Sequence, residues 1–255
     1  MKVKPVKHED RLTLVEHLDE LRTRLIVALV TFAAALGLCL WQNHRILDLL
    51  NRPLPDGRTP ITFGVTEPFM TTLTVAAYAA LALALPVILY QLYAFILPAL
   101  RPGERRTALP LLLMVPFLFI GGVLFCYFVV LDPAVKFLLD FNSGQFNIQV
   151  RARDYYGFVS LLMLSMGLLF QVPIAILTAV RLGLATPQKL REWRRYAILA
   201  IAILAALLPT VDPVSMIIEM VPLLVLYELS IVLASMFGGQ GTKRAASQPS
   251  PEGSG

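Results

Sequence analysis

Glutamates set beside long apolar runs are the residues of this chain best equipped to do chemistry. Glu20 lies four residues before Arg24 at the edge of the first run, and Glu104 lies among Arg101, Arg105 and Arg106 ahead of the third. A carboxylate matches a guanidinium through two parallel hydrogen bonds, so each could receive an external cation or hold a local one. The Glu20–Arg24 spacing is the favourable i,i+4 order on a helix, and on composition alone solvated ion pairs account for both. Two further carboxylates, Glu219 and Glu228, interrupt the last apolar run.

Catalytic sets are absent from the sequence. There is no HExxH, GxSxG or P-loop pattern, and His8, His17 and His44 are scattered through polar segments, so no enzyme, metal centre or cofactor is expected. Cys39 and Cys126 sit inside apolar runs, which suits packing and provides neither a disulfide framework nor a CxxC site.

The elements that must carry these residues are membrane helices. Of 255 residues, 57% are hydrophobic and 15% charged, with a mean hydropathy of +0.70. Soluble domains carry roughly 25% charged residues, so a soluble enzyme, a nucleic-acid reader and a disordered linker are all excluded. The net charge of +5 comes from 22 Lys and Arg spread between apolar runs without a basic stripe, a pattern of topology rather than of nucleic-acid binding. The first run begins near Leu25, after a polar stretch too long for a signal-peptide n-region and with no cleavage-like site, so it is expected to stay as a membrane helix.

Crossing about 30 Å of hydrocarbon takes roughly 20 apolar residues as a helix. Residues 25–41, 70–97, 107–131 and 155–180 satisfy or approach that length, and Pro86 inside the second implies a kink or tilt. Residues 196–208 supply only 13 before the turn signal Pro209-Thr210-Val211-Asp212-Pro213, and 214–237 then returns. The expectation is an all-α membrane domain over 1–237 with six spans, the last two forming a short hairpin. Leu14, Leu18, Leu21 and Leu25 recur at helical spacing, so residues 10–24 form an amphipathic helix entering the first span. Residues 238–255 are rich in Gly, Ser and Pro and read as a disordered cytoplasmic tail. Sixteen Lys and Arg fall on one side of this arrangement and six on the other, which places both termini in the cytoplasm. No internal repeat is apparent.

Several segments then combine into a resemblance. Glu16-His17-Leu18-Asp19-Glu20-Leu21-Arg22-Thr23-Arg24-Leu25 resembles the N-terminal signature of the TatC family, the multispanning receptor of the twin-arginine protein translocase. Thr66-Glu67-Pro68-Phe69, the stretch from Pro86 to Leu100, Glu104-Arg105-Arg106, Phe170-Gln171-Val172-Pro173 and Asp212 are similar to that family in order and spacing, so the match covers residues 14–237.

The resemblance implies a Sec-independent translocase subunit of the cytoplasmic (inner) membrane that exports folded proteins. It implies that Glu20 and Glu104 bind the paired arginines of twin-arginine signal peptides, with Arg22 and Phe95 in the same region. It also implies TatA/TatB-type single-span partners, self-association in a receptor complex, contact with membrane lipids, and the protonmotive force as driving energy. Glu67, Pro68, Phe69 and Asp212 match positions on the outer, periplasmic side, where a helix cap is the plainer reading of Glu67. Gln171 stands where some relatives are acidic; it either faces the signal peptide or ties two helices together. At the start of the last helix the sequence departs from the family, with Met216 where some relatives are polar. Glu219, one turn on, either takes over a polar contact with a partner helix or snorkels outward or pairs within the protein. The alternative, a small-solute or ion secondary transporter, would line a path near the midplane with polar groups, whereas the charges here gather at the rim and the last hairpin.

Overall fold

A computed structural model of the protein describes residues 14–55, 58–96, 102–146, 148–181, 184–209 and 212–237; for 14–17, 96, 102–112, 181 and 237 it describes the backbone alone. The helices are α1 (Leu14–Trp41), α2 (Asn43–Asn51), α3 (Glu67–Ile96), α4 (Pro102–Phe125), a π-helical turn (Cys126–Val130), α5 (Leu131–Asp140), α6 (Ala152–Leu169), α7 (Val172–Arg181), α8 (Pro187–Glu192), α9 (Arg194–Leu207) and α10 (Pro213–Phe237). Among the described residues there is no β-strand, and one isolated parallel bridge joins Ile61 to Arg151. The expected tail 238–255 and the start of the amphipathic helix, 10–13, lie outside the described residues.

Among the described residues, five helical stretches are long and apolar enough to cross a membrane: Leu18–Trp41, Glu67–Phe95, Leu113–Asp140, Ala152–Val180 and Pro213–Met236. Their outward residues, such as Leu29, Phe117 and Val225, are exposed and apolar, the surface that lipid tails cover. With 14 residues, α9 rises only about 21 Å and falls short of the hydrocarbon thickness.

Small residues set the closest packing. Ala76, Ala80 and Ala84 repeat every four residues on α3 and meet Ala35 and Cys39 of α1. This small-residue seam lets the two backbones approach where lipid gives no hydrophobic drive to association. Between α4 and α6 the same part is played by Gly122 and Gly167. A Cβ on Gly122 would stand 2.8 Å from the Met166 carbonyl oxygen, and one on Gly167 would stand 2.7 Å from the Phe119 ring.

One expected span differs in extent, and another keeps its extent but is broken inside. The third does not stop at 131 but runs through the π turn, where the Leu131 N–H donates to the Cys126 carbonyl, and on to Asp140. Pro133 lies just after this turn and has no N–H to offer the Val129 carbonyl one turn back, so the π turn stands where the regular ladder is interrupted. The fourth is two helices, because Pro173 has no N–H to offer the Leu169 carbonyl and the chain turns at Phe170 and Gln171 before α7 begins.

Residues between the first two spans are also ordered as a helix. The last carbonyls of α2 have no partners within that helix. Tyr155 Oη donates to the Leu50 carbonyl at 2.7 Å, Tyr127 Oη to the Leu49 carbonyl at 3.0 Å, and Tyr156 Oη to Asn51 Oδ1 at 2.8 Å. Three tyrosines from distant helices thus anchor the end of α2.

Candidate functional site

The N-terminal half of α1 and the C-terminal end of α3 meet at one end of the bundle. One turn apart on α1, Arg24 donates to Glu20 Oε1 from Nε at 3.0 Å and from Nη2 at 2.6 Å. The same guanidinium reaches α3, with Nη1 at 2.9 Å from Gln91 Oε1 and Nη2 at 3.4 Å from the Ala94 carbonyl. These contacts place a cation at the C-terminal end of α3, where unpaired carbonyls favour positive charge. Both side chains of the pair are about a quarter exposed, so the charges are neither dry nor fully solvated. Arg24 therefore orients Glu20 and fastens α1 to α3.

Phe95, half-buried, lies in the last turn of α3 at this same end, and Arg22 is exposed on α1. Glu104 lies in the first turn of α4, behind Pro102 at the helix's first position, a placement that complements the helix dipole. Its side chain lies outside the described residues. The backbone thus brings the helix carrying Glu104 in directly after the end of α3.

The opposite end of α3 carries a second ion pair. Glu67 is 8% exposed and accepts from Arg151 Nε at 2.8 Å, from Arg151 Nη2 at 3.4 Å and from the Phe63 N–H at 3.0 Å. It locks the preceding loop and joins it to the start of α6, which goes beyond the expected cap. The backbone reinforces the junction, since the Ile61 N–H donates to Val150 and the Ala152 N–H donates to Ile61, both at 2.8 Å. Beside Glu67, Pro68 and Phe69 are exposed. Asp212 is buried and caps α10, its Oδ1 accepting from the Ser215 N–H at 2.7 Å.

Gln171 and Glu219 are among the polar residues within the spans. Gln171 sits in the turn between α6 and α7 and donates from Nε2 to the Val115 carbonyl of α4 at 3.2 Å, a tie between helices. Of the alternatives open to Glu219, the structure has the inward one: its side chain is 0% exposed within this chain. The buried face of α10 carries Ser215, Glu219, Leu223 and Tyr227 at steps of four, packed toward the π turn, α5, α7 and α9, and Glu219 lies within electrostatic reach of Cys126. The outward face instead carries Ile217, Val221 and Val225.

Sequence comparison identifies the scaffold that holds these residues. Residues 16–222 match the family model described as Sec-independent protein translocase protein (TatC). The chain is 36% identical over 232 residues to the Sec-independent protein translocase protein TatC of Deinococcus radiodurans, covering 88% of this chain and 86% of that one. It is 33% identical over 240 residues to TatC of Escherichia coli strain K12, covering 92% and 93%. The chain belongs to the TatC family. A crystal structure of the twin-arginine translocase receptor TatC superposes with a TM-score of 0.75 at 34% identity, covering 86% of this chain and 99% of that one.

Membership in TatC makes this chain a multi-pass membrane subunit of a Sec-independent protein translocase, in a family that is not enzymatic. None of these comparisons supports a solute or ion transporter. The matched segment includes Glu20, Glu67, Phe95, Glu104, Gln171, Asp212 and Glu219. Sequence reasoning did not single out the cross-helix role of Arg24, its partner Gln91, or Arg151. Gln91 lay within the segment that carried the resemblance, and Arg151 directly precedes the apolar run of α6.

Proposed function

We propose that the end of the bundle carrying Glu20 and Glu104 binds the paired arginines of a twin-arginine signal peptide and presents the folded precursor for export. The observation that carries this reading is the Glu20–Arg24 pair. Glu20 already holds a guanidinium through Nε and Nη2 in a partly desolvated setting, the chemistry an incoming arginine needs. An external arginine would share or displace Arg24, and Glu104 would take the second guanidinium. Arg22 and Phe95 flank this site, the exposed cation facing the headgroup region and the aromatic giving apolar contact beside the arginines.

In this reading all six spans lie in the cytoplasmic membrane with both termini inside, as the sixteen-to-six partition of Lys and Arg favours. The short helix α9 pairs with α10 as a hairpin, and a TatA/TatB-type single-span partner covers it. The exposed β-branched face of α10 is the surface for that contact, while Glu219 holds the inner face. Self-association builds the receptor complex, and the protonmotive force drives export.

Photocrosslinkers placed singly at positions 20 and 104 test the reading in membranes presented with a folded precursor. Crosslinks to the Arg-Arg region, absent when the signal carries Lys-Lys, are expected. Equal labelling of both signals would overturn it.

A further inference from the structure

At the end of α3 opposite Arg24, a cavity of about 500 Å³ is lined by Phe63, Glu67, Thr71, Thr74, Arg151 and Arg153. Two arginines and one carboxylate line it. Glu67 is engaged by Arg151, and that bond uses two of the five N–H donors of a guanidinium, so donors remain. Arg153 makes no ion pair among the described residues. Asp154, in the first turn of α6, is near enough to act on Arg151 electrostatically but does not line the cavity. Thr71 is 6% exposed, and its buried Oγ1 has no hydrogen-bond partner among the described residues. A buried hydroxyl without a partner beside surplus cationic donors is a site short of an acceptor-rich anion.

A second cavity of about 300 Å³ continues down the same side of α3. It is almost wholly apolar, lined by Tyr78, Ala82 and Leu83 of α3 with Phe119, Val123 and Met163. Residues 67, 71 and 74 line the polar cavity and 75, 78, 79, 82 and 83 the apolar one; steps of four, three, four and four from 67 to 82 form a stripe that both cavities share, and from it the apolar one extends round the helix. From Thr71 to Leu83 the helix rises about 18 Å, close to the roughly 20 Å depth of one leaflet. The polar cavity also meets exposed apolar surface at Phe63 and Met70.

We propose that this stripe binds one phospholipid with an anionic headgroup. Its phosphate sits with Arg153, the remaining donors of Arg151 and the Thr71 hydroxyl, and an acyl chain lies along the apolar cavity. The charge selects an anionic headgroup over a zwitterionic one, and the matched length selects a lipid over a soluble anion. The bound lipid rests against the junction of the loop before α3 with the start of α6.

Native mass spectrometry of the delipidated protein in detergent tests this, with palmitoyl-oleoyl phosphatidylglycerol, phosphatidylcholine of the same chains, and glycerol phosphate as probes. The wild type is expected to retain phosphatidylglycerol about tenfold more strongly than phosphatidylcholine, with glycerol phosphate unable to displace it. Arg153→Gln is expected to abolish the preference. Thr71→Val, which keeps the side-chain shape, is expected to weaken retention about threefold. Arg45→Gln, an exposed arginine on α2 that does not line the cavity, should leave retention unchanged and controls for general charge loss. Equal retention of the two lipids by the wild type, an unaltered preference in Arg153→Gln, or displacement by glycerol phosphate at matched concentration would each overturn the proposal, as would displacement by a signal-peptide hydrophobic segment.

Discussion

Adjacent glycines on α4 should respond to the same substitution with opposite sign. Gly121→Ala places a Cβ with nothing within 4 Å, so the main effect is relief of glycine's helix penalty, a gain of up to about 1 kcal/mol. Gly122→Ala places its Cβ 2.8 Å from the Met166 carbonyl oxygen and 2.8 Å from Phe170 Cγ. A backbone oxygen inside α6 cannot swing aside as a side chain does, so α4 and α6 must separate. Overpacking of this kind costs about 1–3 kcal/mol, which cancels the propensity gain and leaves a net loss of up to about 2 kcal/mol. Separation also loosens Gly167, whose own contact with Phe119 belongs to the same seam. Thermal unfolding of the two variants in one detergent, followed by reactivity of buried Cys126, measures the difference. The expected order of midpoints is Gly121→Ala at or above wild type and Gly122→Ala below it. Equal midpoints for the two variants would refute the close approach of α4 and α6.

Tyr155→Phe should destabilise the protein by about 1–2 kcal/mol, because the buried Leu50 carbonyl loses its donor, whereas Tyr127→Phe should cost less since water replaces its exposed bond; unfolding in detergent compares them. Glu67→Arg or Arg151→Glu alone should open the junction between the loop before α3 and the start of α6, and the double exchange should restore part of it, read as protease resistance of residues 58–66. Reporter fusions after Arg58 and Arg153 should report the outer side and fusions after Arg106 and Arg194 the cytoplasm; a cytoplasmic signal at Arg153 would contradict the charge partition.

The reach of the sequence can be judged residue by residue. Apolar length marked the long helices because the bilayer imposes it locally, and the Glu20–Arg24 spacing is a local property of one helix. The helix α2 was hidden for the opposite reason: its end is fixed by tyrosines 78 and 105 residues away, which no local pattern reports. Pro173 signalled the break between α6 and α7, yet continuous apolarity on both sides masked it. The direction of Glu219 stayed open in the sequence because α10 is apolar nearly all round, so periodicity sets which residues share a face without saying which face turns inward. Its polar neighbours Asp212 and Ser215, buried on that same face, are evident only in the packed structure.

Recognition of paired arginines is tested most directly by binding isotherms on the purified wild type, Glu20→Ala, Glu104→Ala and the double variant, each titrated with an Arg-Arg signal peptide and its Lys-Lys counterpart. A charge-assisted hydrogen bond is worth about 1.5–3 kcal/mol, so each single variant should weaken Arg-Arg binding about tenfold to a hundredfold. The double variant should bind both peptides at the Lys-Lys level. Arg-Arg binding by the double variant as tight as that of the wild type would contradict the assignment of these two glutamates.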